Sequence, residues 1–353
     1  MIVGLASRFA NYESFESGPR VTVPLLRSGG VGVALSALYS PFDEMDVTLR
    51  YPGEPQDHYL RTLLRQLEGV ERDIKKNFES DAAVAHNPTE LDAAIEAGKV
   101  AIVHCVEGAF HLGSTPEKVD EAVRELARRG VAYITLAHLF YRQVATNTNA
   151  IPFLPDFLYD ILFPQPDLGL TELGRAAVRA IVDERMLIDL SHMSDRALDD
   201  TFALLDELDP DRSVPVIASH VAYRFGGQDY NVGAETVERI AERDGVIGLI
   251  LSEHQGADGM LVGRHPQALD DSLKIVFRHL DRFGEITGSH RHSAIGSDLD
   301  GFIKPTLAGL EDAGRLGRLE AALTERYGPD DGGLIASGNV LRLLRDRWRG
   351  APG

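Results

Sequence analysis

The sequence predicts an α/β fold, a (β/α)8 TIM barrel built as a single domain over residues 1–353, and three observations point to it. Short apolar, strand-like runs alternate along the chain with stretches of helical periodicity. Five of these runs end abruptly in a metal-capable or proton-transferring side chain: VAIVHCVE in Glu107, VAYITLAH in His138, LIDLSH in His192, VPVIASH in His220, and SAIGSDLDG in Asp298 and Asp300. Barrel enzymes deliver their chemistry from the carboxyl ends of strands, so such endings read as one site. Finally, 353 residues that are 44% hydrophobic and 25% charged suffice for a barrel-sized core.

The elements follow in order. Residues 1–20 offer one strand candidate, IVGLA, with no metal-capable residue close behind it, so the first strand is expected to be short or incomplete. GGVGVALSALYS (29–40) reads as a strand, and Leu60, Leu63, Leu64, Leu67, Val70 and Ile74 mark a helix between Gln56 and Ser80. Asn87-Pro88-Thr89-Glu90 opens a helix with Thr89 as the expected cap and Gly98 as its close. Helix 116–129 begins with Pro116 in the first turn and ends at Gly130. The stretch from Phe140 to Leu170 is too long for a bare connector and is expected to be a functional loop or lid. Thr171 opens helix 171–185, and Ser194 caps the helix after His192. Strands near 31, 100, 131, 187, 214, 246 and 292 leave a closed barrel one strand short, so the missing strand is expected in IVGLA or upstream of Met1.

A net charge of −18 argues against nucleic acid and anionic membranes, which require basic surface. Cys105 is the single cysteine and reads as a small buried hydrophobe. No run is long and apolar enough to span a bilayer, and the N-terminus lacks the features of a signal peptide, so the expected location is cytoplasmic.

Glu107, His192 and His220 are the residue types that hold zinc or a similar ion with one position left open for water. Taken singly, a strand-end histidine is more often a hydrogen-bonded structural residue; the alternative for Glu107, a solvated loop acid, is opposed by its place directly after a seven-residue apolar run. Their joint placement at converging strand ends favours ligands. Asp298 and Asp300 bracket Leu299 and on a strand would share a face. Asp298 is expected to act as general base or proton shuttle, and Asp300 to be mostly structural in an Asp-Gly turn. His138 is expected to stabilise charge on a substrate carbonyl oxygen, against the reading of a satisfied core histidine. Arg224, four residues past His220, is either a carboxylate anchor or a surface arginine. His254, after the 246–252 run, has no assigned role.

VEG at 106–108, ITLAH at 134–138, DLSHMS at 189–194, ASH at 218–220, IGSDLDG at 295–301, GNVLRLL at 338–344 and RVTVPLLRSGGVGVALSALYSP resemble the membrane (renal) dipeptidase family of zinc metallopeptidases, within the amidohydrolase superfamily. The resemblance covers nearly the whole chain and implies a barrel of the metal-dependent amidohydrolase type. It implies that Glu107 bridges two zinc ions, that His192 and His220 complete the second ion's site, that His138 contacts the tetrahedral intermediate, and that Asp298 handles the proton passed to the leaving amine. Two departures stand out. The family's first strand ends in a His-x-Asp-like pair, which is absent between Met1 and Arg20. An arginine usually precedes the family's Asn-Val pair, where this chain has Tyr230 before Asn231-Val232. The chain is therefore expected to begin within or just after that strand, to hold at most about one ion tightly, and to show weak or absent peptidase activity. Arg224 and Asn231 remain the candidates for substrate binding.

The expected function is hydrolysis of the amide bond of a dipeptide or related N-acyl amino acid through metal-activated hydroxide. The cofactor is zinc or another divalent metal, one or two ions, and the partner a dipeptide-like small molecule; a homodimer is among the assemblies the sequence allows. The alternatives are a degenerate barrel that binds an amino-acid-like ligand without turnover, and a lactonase or phosphoesterase of the same superfamily.

Overall fold

Strand and helix alternate as expected in the computed structural model, which describes residues 18–46, 48–152, 154–257, 265–301 and 305–351. The IVGLA segment lies outside them. The strands are β1 (Val33–Leu38), β2 (Ala82–Val84), β3 (Val100–Glu107), β4 (Tyr133–Thr135), β5 (Leu187–Asp189), β6 (Val216–Val221), β7 (Val246–Leu249) and β8 (Ser293–Ile295). The strand lacking from the sequence reading is thus supplied within the described residues by Ala82–Val84. Three residues, two of them alanine, with no ligand at their end, carry no periodic signal.

By contacts the chain forms two compact units. The first, here the Glu107 unit, comprises Gly32–Thr148, Asp160–Ile217 and Leu341–Gly353. Its strands pair in parallel around β3. β1 runs along one edge from Val33↔Ala101 to Leu38↔Val106. The other edge is shared: β2 takes residues 100–102 and β4 takes 106–107. β5 follows β4, and the opening residues of β6 follow β5. β3 is buried along nearly its whole length, as parallel strands covered on both faces are, which accounts for its unbroken apolar run.

Helices α1 (Val23–Ser28), α2 (Pro41–Glu44), α3 (Tyr59–Asn77), α4 (Pro88–Glu96), α5 (Pro116–Arg128), α6 (Asp156–Leu162), α7 (Glu172–Asp183) and α8 (Asp195–Leu208) come before β6 in the chain. α3 buries Leu63, Leu67 and Ile74, the inner members of the expected stripe. Thr115, Thr171 and Ser194 cap α5, α7 and α8. For α4 the cap is Asn87 rather than Thr89: the Asn87 side chain accepts from the Glu90 amide at 3.0 Å, and Pro88 occupies the first helical position. Between Phe140 and Leu170 the only helix among the described residues is α6, and an isolated bridge joins Ala145 to Leu170.

The second, the Asp298 unit, comprises Met1–Val31, Asn149–Tyr159 and Ala218–Val340. It contains the last residues of β6, then β7 and β8, in that order. The strands approach so closely that a Cβ at Gly296 would lie 1.8 Å from the Ser219 carbonyl oxygen. Helices α9 (Ala234–Glu242), α10 (Glu253–Gly256), α11 (Leu269–Thr287), α12 (Leu316–Gly333) and α13 (Asn339–Asp346) complete the chain. Val237 and Ile240 of α9 and Ile275, Val276, Leu280 and Phe283 of α11 are buried. No helix among the described residues is long and apolar enough to cross a membrane.

Candidate metal centre

The strands of the Glu107 unit stop short of two of the expected site residues, His138 and His192. β3 does end at Glu107, but β4 ends at Thr135 and β5 at Asp189, so His138 and His192 each lie three residues further on, in the loops. His192 adopts a left-handed backbone, φ 68°, which is uncommon for a residue with a Cβ. The fully buried Asp189 carboxylate braces that turn. It accepts from the Thr135 hydroxyl at 2.6 Å, and from the amide and hydroxyl of Ser191 at 3.1 and 3.0 Å. On the other side, Gly108 turns the chain at φ 91°, and its amide donates to the Thr135 carbonyl.

These turns bring Glu107, His138 and His192 together. Among the described residues they form the group whose potential ligand atoms lie within 4.8 Å of one another. Glu107 Oε1 is 3.6 Å from His138 Nε2 and 3.4 Å from His192 Nε2, and the two rings meet edge to face with centroids 4.6 Å apart. Both histidines are buried, while Glu107 is partly exposed. Distances longer than a hydrogen bond, converging from two imidazole nitrogens and a carboxylate oxygen, fit a divalent ion between them.

A residue overlooked in the sequence supports that fit. Glu44, at the end of α2, is 1% exposed. Its Oε2 accepts from His138 Nδ1 and from the Tyr39 hydroxyl, each at 2.7 Å, and its Oε1 accepts from the Phe140 amide at 3.0 Å. With Nδ1 donating to Glu44, His138 presents the lone pair of Nε2 toward Glu107, as a carboxylate behind a ligating histidine does. Burial works against ionisation of Glu44, but the neighbouring His138, the Tyr39 hydroxyl and the Phe140 amide more than offset it and hold the carboxyl below its ordinary range. Burial, with the Glu44 charge beside it, pushes the Tyr39 hydroxyl far above the usual phenol range. His111 is pushed down to about 4 by burial; its Nδ1 donates to the Gly108 carbonyl and its Nε2 accepts from the Ser40 amide.

The other expected residues lie in the Asp298 unit. His220 is buried, its Nδ1 is 2.7 Å from the Ser219 hydroxyl, and its carbonyl accepts from the Tyr230 hydroxyl. Asp298 and Asp300 are not on a strand: β8 ends at Ile295, and both stand in a turn with φ of 48° and 71°. The turn makes Asp300 structural, as expected, since its carboxylate accepts from the amides of Arg20 and Val21. Arg224 donates to the carbonyls of Asn231 and Asp229 at 2.7 and 2.9 Å. Asn231 is fully buried, accepting from the Ala222 amide and donating to the Gln255 carbonyl. His254 contacts Gln228. Cys105 is free and buried.

The family model for membrane dipeptidase (peptidase family M19) matches residues 5–348. The chain is 27% identical over 292 residues to dipeptidase tcpJ of Claviceps purpurea, covering 81% of this chain and 60% of that protein, so it spans less than two thirds of that relative. It is 26% identical over 343 residues to dipeptidase aclJ of Aspergillus oryzae, covering 93% and 70% of the two. Among solved structures, the dipeptidase AC, a metallopeptidase of family M19, superposes with a TM-score of 0.75 at 20% identity, over 98% of this chain and 94% of that one. A Rhodobacter sphaeroides metallopeptidase, liganded with a phosphinate mimic of the dipeptide L-Ala-D-Ala, superposes with a TM-score of 0.74 at 20% identity, over 98% and 95%. At this identity the two structures show a shared fold.

Proposed function

Because the chain belongs to the membrane dipeptidase family, peptidase family M19, we propose that it is a metal-dependent hydrolase cleaving the amide bond of dipeptides or related N-acyl amino acids. The observation that carries this reading is the Glu107, His138 and His192 donor group with Glu44 behind it. When bound there, a divalent ion, zinc being the first choice for such donors, supplies Lewis-acid polarisation of the carbonyl and acidification of a water. Glu44 fixes the His138 ring, and Asp189 fixes the turn that presents His192. Within the Asp298 unit, His220 is proposed as a metal-capable imidazole and Asp298 as a proton-transferring carboxylate, while Arg224 with Asn231 shapes the loop after β6. A cytoplasmic location goes with it, supported by the lone, buried Cys105.

The test is metal content and turnover measured together on the purified protein. Zinc, manganese and cobalt are added in turn, and a dipeptide panel that includes L-Ala-D-Ala is assayed. Glu107→Gln and His192→Ala are expected to lose most bound metal and to lower kcat/KM by about 10²-fold or more. Unchanged metal content in both variants, or no turnover of any dipeptide with any ion, would overturn the reading.

A further inference from the structure

Arg142 lies four residues beyond His138 on the segment that leaves β4, and it is 5% exposed. Of the five N–H donors of its guanidinium, one has a hydrogen bond, a long one of 3.4 Å from Nη2 to the Tyr59 hydroxyl, and Nε is buried with no acceptor. Among the described residues no carboxylate forms an ion pair with it. A buried, undercompensated arginine is costly to a fold, and such groups are retained where something anionic arrives to meet them.

Two acids act on this neighbourhood. Asp46 interacts with Arg142 by charge but forms no ion pair with it, and its hydrogen bonds go elsewhere: Tyr59 donates to its Oδ2 at 3.1 Å, and Thr48 donates to its Oδ1. Asp43, one residue before Glu44, has a buried Oδ2 without a partner and makes no ion pair with Arg142. The outer end of the guanidinium packs against Gly53, where a Cβ would come within 3.2 Å of both Nη atoms.

Contacts run from Arg142 back to the metal-ligand candidates. Tyr59 packs on His111, His111 on Tyr39, and Tyr39 on His138, with centroid separations of 6.5, 6.1 and 4.5 Å. Four residues of chain span at most ~14 Å. The other candidate cation differs, because Arg224 donates to the carbonyls of its own loop.

We propose that Arg142 is the specificity-determining residue that receives the free α-carboxylate of the substrate. The inference rests on the dipeptidase reading above. A carboxylate at the guanidinium completes a charge-assisted pair that the protein alone does not supply, and a site built this way discriminates against substrates lacking the group.

The experiment compares wild type, Arg142→Met and Arg142→Lys on alanyl-alanine and on its C-terminal amide, with melting temperatures as the check on folding. Wild type is expected to favour the free acid by about tenfold or more in kcat/KM. Arg142→Met should raise KM for the acid by about tenfold or more with kcat little changed, and leave the amide unaffected; lysine should restore part of the preference. Equal losses on acid and amide would mark a structural role and overturn the proposal, as would a preserved preference in Arg142→Met. If wild type cleaves neither compound, the dipeptidase reading fails, and the carboxylate site is then judged by binding. A rise in melting temperature with alanyl-alanine, absent with the amide and absent in Arg142→Met, sustains it, and any other pattern sinks it.

Discussion

Gly108 joins Glu107 to the loop beneath His138, and no other residue type fits there. At φ 91° an added Cβ would lie 2.4 Å from Phe110 Cε1 and 3.5 Å from His138 Cβ. Gly98 provides a control, since it has a similar sign of φ, 66°, and open space around the missing Cβ. Gly98→Ala should lose ~1 kcal/mol from backbone strain alone. Gly108→Ala should lose ~2–4 kcal/mol and also weaken metal binding, because Phe110 must move and the strained turn directly follows Glu107. Urea midpoints and metal content check both, and equal losses in the two variants would remove the steric argument. Glu107, His138 and His192 were legible in the sequence because each closes an apolar run. Glu44, Tyr39 and Asp189 were not, since a supporting carboxylate carries no mark of its own: Asp189 reads as part of LIDLSH, and Glu44 as one acid in a turn.

At the scale of elements, local signals were read best. Thr171 and Ser194 are caps whose hydrogen bonds close within three residues, whereas Asn87 and Thr89 compete within one motif and the position of Pro88 decides between them. β2 was illegible because its pairing with β3, not its own pattern, makes it a strand. The cap of α8 also reaches the candidate site. Ser194 Oγ accepts from the Ala197 amide at 3.1 Å, lies 2.6 Å from the Thr146 hydroxyl, and stands two residues after His192. Ser194→Ala should therefore cost ~1–2 kcal/mol in stability and lower metal affinity. A matched Thr115→Ala, which removes the cap of α5, should affect stability alone. Metal titration of the two variants decides, and indistinguishable affinities would uncouple the cap from the ligand.

Taken whole, the molecule carries 54 acidic against 36 basic side chains, and as acid neutralises carboxylates this repulsion is relieved. Buried imidazoles act in the opposite direction. His104, 1% exposed with neither ring nitrogen hydrogen-bonded, is pushed down to about 4, chiefly by burial. Between its ordinary value of 6.5 and about 4 the unfolded chain binds a proton that the native chain does not, so this share of stability falls as pH falls through that window and levels off below it. The share is on the order of 3 kcal/mol. His104→Leu should abolish it, so that the difference in stability between variant and wild type grows in the variant's favour from pH 6.5 to 4. Denaturant melts across that range check this, and parallel curves would refute it. The family and the fold class were legible at this scale because ordered motifs recur along nearly the whole chain, while the two-unit division depends on contacts between distant residues that no local pattern records.

The shared edge of β3 also bears on the entropy of assembling the fold. From the end of β2 at Val84 to the start of β3 at Val100 is 16 residues, and from the end of β1 at Leu38 it is 62. Loop-closure entropy rises with the logarithm of length, so the β1 seam is entropically dearer to close by ~1.2 kcal/mol. The short strand that leaves no trace in the sequence is thus the partner of β3 with the smaller closure cost. The strand that leads to Tyr39 and Glu44, and with it the carboxylate that orients His138, carries the larger one.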